Sequence, residues 1–293
     1  MRILVTGASG FVGQILLQKL LSDHQITALG RSAGGIGVDL RSCDLNDPAA
    51  VRTALRELEQ ADPFDVIVHL AVSRLHRDFP STALDLFHVN TTVTAYLMDF
   101  AWRTGVSHAI IGSTGSVYDP PAGVLSAESD FTPPKSFFAA SKQAADVFAE
   151  QYRSLLPVSI LRLFVPYGPG QTDRMLPGLI NRLRAGQPVT IPEVGPALIF
   201  APIYGEDVVR VIETCMAEVW NETVNVASSE VMTLDAAARI IAETLGVEAK
   251  VETSEHAGSH YLVPDLTRLK ARMDTSGFIS FADGIRAMVQ AGD

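Results

Sequence analysis

Charge is scarce in this sequence, and its balance is negative. Only 19% of the 293 residues are charged, and 23 basic against 33 acidic side chains leave a formal net charge of −10. Nucleic acids and anionic membrane surfaces are held by cationic excess, so neither is expected as a partner. A phosphorylated small molecule needs only a few local cations and stays open. Cysteine is scarce too. Cys43 and Cys215 lie far apart without metal-like spacing, which points to two reduced thiols in a cytoplasmic protein. His69, His76, His88 and His108 lack the i, i+4 histidine or carboxylate pattern of a metal site, so no metal is expected and they read as structural or surface residues. No apolar run approaches the roughly 18 residues of a membrane span, and the apolar start reads as a strand, not a signal peptide. Repeats, low-complexity segments and charge blocks are absent. What is present is 47% apolar residues, enough to bury a sizeable core in one large domain or two small ones.

The most informative stretch is Ile3-Leu4-Val5-Thr6-Gly7-Ala8-Ser9-Gly10-Phe11-Val12-Gly13. An apolar run meets three glycines spaced by three. Ile15, Leu16, Leu17, Leu20 and Leu21 then alternate with Gln14, Gln18 and Lys19 in helical fashion. This reads as strand, tight turn, helix. Free N–H groups at a helix start, with the helix dipole behind them, form a site for a pyrophosphate. A side chain at Gly7 or Gly10 would keep the backbone from the phosphates, and Gly13 lets helix and strand pack closely.

Strand and helix signals alternate beyond it. Strands are expected at 25–29, 38–40, 66–70, 109–112 and 159–164, and helices at 48–60 (behind an Asp47 cap), 81–103 and 136–154. Successive units of this kind give an α/β fold, a Rossmann-like doubly wound parallel sheet. After Phe164 the texture changes: Pro166, Pro169, Pro177, Pro188, Pro192, Pro196 and Pro202 crowd a short region. A dinucleotide-binding domain at 1–165 is therefore expected, followed at 166–293 by a smaller, mainly substrate-binding α/β part with some segments returning to the first domain. In that part helices are expected at 176–185, 206–217, 234–245 and 281–289, with a strand at 223–227.

Thr6-Gly7-Ala8-Ser9-Gly10-Phe11-Val12-Gly13 resembles the TGxxGxxG element of the extended short-chain dehydrogenases/reductases, the epimerase/dehydratase group acting mostly on nucleotide sugars. The resemblance implies a cofactor site built from Gly7, Ser9, Gly10, Phe11, Val12 and Gly13. Asp44-Leu45 resembles the family's adenine-contacting pair, although Asp44 could equally cap its own turn. Leu70-Ala71-Val72 falls at the cofactor-lining turn and Asn90 at the family's helix asparagine. At the end of the second strand Gly30 stands where the family often carries Asp. Arg31 and Ser32 follow, and a guanidinium can grip a ribose phosphate through two hydrogen bonds. NADP is the expected cofactor, with NAD the alternative.

Gly112-Ser113-Thr114-Gly115-Ser116-Val117-Tyr118 resembles the family's S/T-x-x-V-Y segment, which makes Thr114 the catalytic hydroxyl and Ser113 and Ser116 its substrate-side neighbours. Phe138-Ala139-Ala140-Ser141-Lys142 aligns with the family's Tyr-x-x-x-Lys. There the lysine holds the nicotinamide ribose and lowers the tyrosine pKa, so that the phenol transfers a proton. Lys142 is present, but Phe138 has no hydroxyl. Either the chain is an engineered Tyr→Phe variant, or its lineage uses another acid or has lost the reaction. Val165 stands where the family's phosphate-contacting asparagine is, and Phe200 where a diphosphate-binding arginine falls. Arg174 (beside Met175), Arg182 and Arg184 are the candidate replacement charges, although Arg182 and Arg184 read equally well as a solvated helix face. The resulting expectation is an NADP(H)-dependent oxidoreductase acting on a nucleotide-linked sugar, with reduction of a 4-keto sugar first and slowed by Phe138. A nucleotide-sugar epimerase or 4,6-dehydratase with tightly bound NAD is the alternative, and a non-catalytic dinucleotide-binding protein the third. The resemblance also implies a homodimer through helices 81–103 and 136–154.

Overall fold

Strands covered on both faces need unbroken apolar runs instead of alternation. Residues 3–5 and 66–68 meet that condition, and all six side chains are buried. The computed structural model of the chain describes residues 1–73, 75, 78–192, 198–254 and 260–292, so His76 and Pro196 fall outside the described residues. In chain order the elements are β1 (Arg2–Thr6), α1 (Phe11–Leu20), β2 (Gln25–Gly30), β3 (Asp39–Ser42), α2 (Pro48–Leu58), β4 (Val66–His69), α3 (Ala83–Phe87), a π-helical turn (His88–Thr92), α4 (Val93–Thr104), β5 (His108–Thr114), α5 (Phe137–Gln151) and β6 (Val158–Leu163). Then come β7 (Pro166–Tyr167), α6 (Met175–Arg184), β8 (Val189–Pro192), β9 (Ile199–Phe200), β10 (Ile203–Tyr204), α7 (Gly205–Glu218), β11 (Thr223–Val226), β12 (Met232–Thr233), α8 (Leu234–Leu245), β13 (Val251–Ser254), β14 (Tyr261–Leu262), α9 (Thr267–Arg272) and α10 (Phe281–Ala291).

Seven strands form one sheet in the order β3-β2-β1-β4-β5-β6-β11. The pairs from β3 across to β6 are parallel. This is the expected Rossmann-like α/β architecture. The strand order reverses between β1 and β4, the switch point at which such sheets bind ligands. The chain divides into two compact units, the first made of Met1–Val117, Phe131–Leu163 and Val209–Val224. Its main core packs Leu4, Ile67, Leu97, Phe100, Ile111 and Ile160 around the sheet. Asp47 caps α2 by accepting the N–H groups of Ala49 and Ala50, as its position before Pro48 suggests. Ser136 caps α5 through the Ala139 N–H.

One expectation needs correction. The stretch read as a single helix over 81–103 is α3 and α4 joined by the five-residue π-turn. Such turns insert a residue into the helix and are frequent at functional sites. The third strand also starts one residue later than read and runs to Ser42, with all four side chains exposed.

The second unit comprises Tyr118–Asp130, Phe164–Val208 and Asn225–Asp293. Its core packs Tyr167, Phe200 and Phe281 against the buried faces of α6, α8 and α10. The Tyr167 and Phe281 rings lie 5.4 Å apart. Gly284 leaves room for that ring: a Cβ there would lie 2.4 Å from the Tyr167 hydroxyl. Residues 118–130 join this unit through Ser126, whose N–H donates to Val263 O and whose carbonyl accepts the Asp265 N–H. The Tyr118 hydroxyl donates to Asn225 Oδ1 at 2.8 Å.

Candidate active site

At the end of β1 the chain must turn into α1 within four residues, and backbone meets backbone there. Gly7 adopts φ +76°, and a Cβ on it would sit 2.5 Å from the Leu70 carbonyl carbon in the turn after β4. A Cβ on Gly13 would sit 2.1 Å from Gly7 O. Both glycines are thus required by the protein's own packing. Gly10 differs. Its φ of −79° suits any residue, and a Cβ there would have a single close neighbour, Gly7 O at 3.1 Å. Gly10 is also the N-cap of α1, whose first turn has no side-chain cap. Open space, uncapped N–H groups and the positive end of the helix dipole are what a pyrophosphate requires, so the turn fits a dinucleotide. Ser9, Phe11 and Val12 are half-buried around it.

A hydrogen-bonded layer fixes this turn to the rest of the edge. Thr6 Oγ1 accepts the Ala71 N–H at 3.3 Å and lies 2.6 Å from His69 Nδ1. The hydroxyl and the ring nitrogen share one hydrogen bond, in which either can be the donor. His69 is fully buried, and burial, reinforced by the nearby Lys142 charge, pushes its pKa down to about 3. It is neutral at physiological pH. Leu70 is half-buried, Ala71 buried and Val72 exposed along the turn that follows.

Arg31 and Ser32 are exposed beyond β2, and Ser32 Oγ accepts the Gly34 N–H at 3.0 Å. Asp44 Oδ1 accepts the Asn46 N–H at 3.0 Å, the local turn that its sequence left open. Leu45 packs on the core of the first unit. Asn90 is not exposed and its amide is engaged at both ends: Oδ1 accepts the Ser73 N–H and Nδ2 donates to Ser141 Oγ, both at 2.9 Å. Ser141 Oγ donates in turn to Phe138 O, and Thr91 Oγ1 donates to Ser141 O, each at 2.8 Å. The π-turn therefore clamps the start of α5, and Asn90 reaches the site through Ser73 and Ser141.

Thr114 is half-buried at the last position of β5, where its Oγ1 accepts the Ser116 N–H at 3.1 Å; Ser116 itself is exposed. Phe138 is half-buried one helical turn before Lys142. Lys142 is 2% exposed and its ammonium donates to Gly112 O at 2.7 Å. Burial lowers its pKa, and the charge of Asp146 opposes that shift. Asp146, one further turn along, accepts from Arg162 Nε at 3.0 Å. Burial raises the Asp146 pKa, against the pull of Arg162, Ser113 and Lys142. Asp146 and Arg162 were not singled out from the sequence as a pair. The available signal was a charged residue inside the apolar run Ile160-Leu161-Arg162-Leu163-Phe164 and an acid four residues after Lys142.

The three remaining predicted residues belong to the second unit. Val165 has φ +41° and packs its side chain on that unit's core. Arg174 is exposed at the N-cap of α6, and Met175 opens that helix against the same core. Phe200, where the resemblance puts an arginine, is fully buried.

Residues 3–227 match the model of the NAD dependent epimerase/dehydratase family. The chain belongs to that family. As a member it is an enzyme of the short-chain dehydrogenase/reductase type. It is 31% identical over 194 residues to the UDP-glucose 4-epimerase of Mycolicibacterium smegmatis, a match covering 61% of each chain. With the low-salt glycan biosynthesis protein Agl12 of Haloferax volcanii it shares 29% identity over 308 residues, covering 99% of this chain and 97% of the relative. The crystal structure of Thermus thermophilus UDP-glucose 4-epimerase in complex with NAD superposes with a TM-score of 0.83 at 26% identity, covering 99% of this chain and 98% of the other. Family membership agrees with the fit of the Gly10 turn to a dinucleotide.

Proposed function

We propose that this enzyme holds a nicotinamide dinucleotide at the Gly10 turn and moves hydride to and from a carbinol carbon of a nucleotide-linked sugar. In this reading the hydride returns to the sugar within one cycle, as in an epimerase or dehydratase. The observation that carries it is the open space at Gly10 above an uncapped helix start. The sugar nucleotide follows from the relatives, two of which are UDP-glucose 4-epimerases. The nicotinamide supplies the hydride acceptor and donor. Lys142 holds its ribose, Thr114 hydrogen-bonds the reacting oxygen, and Phe138 contributes shape without a proton. Turnover is therefore slow, because general acid–base catalysis contributes roughly 10²–10⁴-fold.

One observation favours a second reading, net reduction of a 4-keto sugar by NADPH: Arg31 follows Gly30 with no carboxylate at the end of β2. We further propose a homodimer, supported by exposed Leu84 and Phe87 on α3 and exposed Val147 and Phe148 on α5. Cys43 and Cys215 are both buried as thiols, which suits a cytoplasmic setting.

The test is to denature purified protein, identify any released dinucleotide, and then follow UDP- and dTDP-sugars with and without added NADPH. Released NAD with product formed and no NADPH consumed supports the first reading. Stoichiometric NADPH oxidation supports the second. Phe138→Tyr is expected to speed turnover by roughly 10²–10⁴-fold. Fast turnover by the parent, unchanged in that variant, would overturn the assignment of the site.

A further inference from the structure

Beneath the candidate active site, four elements bring charged and polar groups together out of reach of water. His69 comes from β4, Gly112 O and Ser113 from β5, Lys142 and Asp146 from α5, and Arg162 from β6. None of these five residues is more than 8% exposed. With His69 neutral, the ionisable groups left in the cluster are Lys142, Asp146 and Arg162. Asp146 Oδ2 is bonded by Arg162. Asp146 Oδ1, Ser113 Oγ and His69 Nε2 each lack a well-formed hydrogen bond, although Ser113 lies close enough to Asp146 to favour its ionised form.

Buried ion pairs are weak devices for stability, because desolvation cancels most of their attraction. This one has a position that stability does not explain. Asp146 lies one helical turn after Lys142, so both side chains share a face of α5. A buried ammonium with no anion nearby sheds its proton. We propose that Asp146, held in place by Arg162, is a positioning residue for Lys142: it supplies the counter-charge that keeps the ammonium protonated inside the protein and aimed at the end of β5. The proposal rests on the role given to Lys142 above and adds the pair that sustains it. Among the described residues, the other elements packed on α5 offer no competing anion of this kind. On α3, Asp85 is bonded by Asn46, and at the start of the π-turn His88 packs its ring edge-on to Phe87. On α4, Asp99 is paired with Arg103. Glu150, at the far end of α5, pairs with Arg153.

The experiment follows the Lys142 side chain by NMR with ¹³C/¹⁵N-lysine labelling in the ligand-free protein, using Lys142→Met to assign the resonance. In the parent, Lys142 is expected to remain charged at pH 7; a neutral Lys142 there overturns the proposal without any variant. The second arm replaces the pair by apolar residues of similar size, Asp146→Leu with Arg162→Met, an exchange that buried pairs commonly tolerate. In that folded double variant the Lys142 titration midpoint is expected to fall by one pH unit or more. NADH and NADPH affinity above that midpoint should fall about tenfold, while Asp146→Glu keeps the parental midpoint. An unmoved midpoint in the folded double variant overturns the proposal. A midpoint that falls while dinucleotide affinity stays unchanged at every pH supports the counter-charge role, and overturns only the assignment of Lys142 to the ribose.

Discussion

Substituting the three glycines of the first turn one at a time separates what the fold needs from what the cofactor needs. In Gly10→Ala the new Cβ meets only Gly7 O, at 3.1 Å, and a shift of a few tenths of an ångström relieves it. Losing a glycine N-cap costs a few tenths of a kcal/mol or more, and the stiffer unfolded chain returns about 0.4–1 kcal/mol. Stability of the ligand-free protein should therefore change by less than about 1 kcal/mol. In Gly13→Ala the Cβ meets Gly7 O at 2.1 Å and Ala8 Cα at 3.0 Å, both backbone. Overpacking of that kind costs about 1–3 kcal/mol or more. Dinucleotide at 100 times its Kd stabilises the parent by about 2.7 kcal/mol, a rise of roughly 5–10 °C in Tm for a chain of this size. The assay is thermal unfolding with and without NAD and NADP, beside calorimetric titration. Gly10→Ala should melt near the parent without ligand and lose the ligand-induced rise. Gly13→Ala should melt at least about 2 °C lower with no ligand present. A folded Gly10→Ala protein that binds as the parent does would mean that the open space at Gly10 is not a phosphate site. A Gly13→Ala protein of parental stability would refute the packing argument.

Three further outcomes are expected. Val219, 42% exposed and directly after α7, is a β-branched residue at φ +53°; Val219→Gly should stabilise the protein by about 1 kcal/mol in urea unfolding, since glycine adopts that conformation without the strain. His69 and His108 are held neutral by burial, with pKa values pushed down to about 3 and about 4. Both lie below the unfolded value, so stability is fully present above about pH 6.5 and is lost as pH falls toward 4, by up to about 2–3 kcal/mol per pH unit while only the unfolded chain takes up both protons. Urea midpoints measured from pH 7.5 to 4.5 check this, and His108→Gln should flatten the curve. Arg31→Ala should weaken NADPH binding selectively, by about 1.5–3 kcal/mol for a lost charge-assisted hydrogen bond; equal losses for NADH and NADPH in paired titrations would remove Arg31 from the adenosine site.

The parts of this molecule that were legible in the sequence are those written in consecutive residues. The run from Ile3 to Gly13 encodes a strand, a turn and a helix start within one window, and the open space at Gly10 follows from the same spacing. Asp47-Pro48 announces its helix through local chemistry alone. The π-turn was not legible, because Asn90 and Thr91 are held by Ser141, some fifty residues away. β9, β10, β12 and β14 have two residues each, too few for any periodicity to register. The placement of residues 118–130 depends on Ser126 meeting Val263 and Asp265, partners far along the chain. The Asp146–Arg162 pair spans α5 and β6, and nothing in either segment alone brings the two charges together.

The interleaving of the two units has a consequence for synthesis. The first unit has all of its residues once Val224 is made, while the second still lacks its last 69 residues, among them α8 and α10. At about 5–20 residues per second the ribosome takes roughly 3–14 s to deliver them. Over that interval Tyr118–Asp130 and Phe164–Val208 are present without the partners that bury them. Tyr167 and Phe200 wait for Phe281, and Ser126 waits for Val263. The nascent chain thus carries a finished nucleotide fold beside an apolar half-core, a stage at which chaperone demand and aggregation should be greatest. Substitutions at Tyr167 or Phe200 should therefore reduce yield in cells more than they lower the stability of the finished protein.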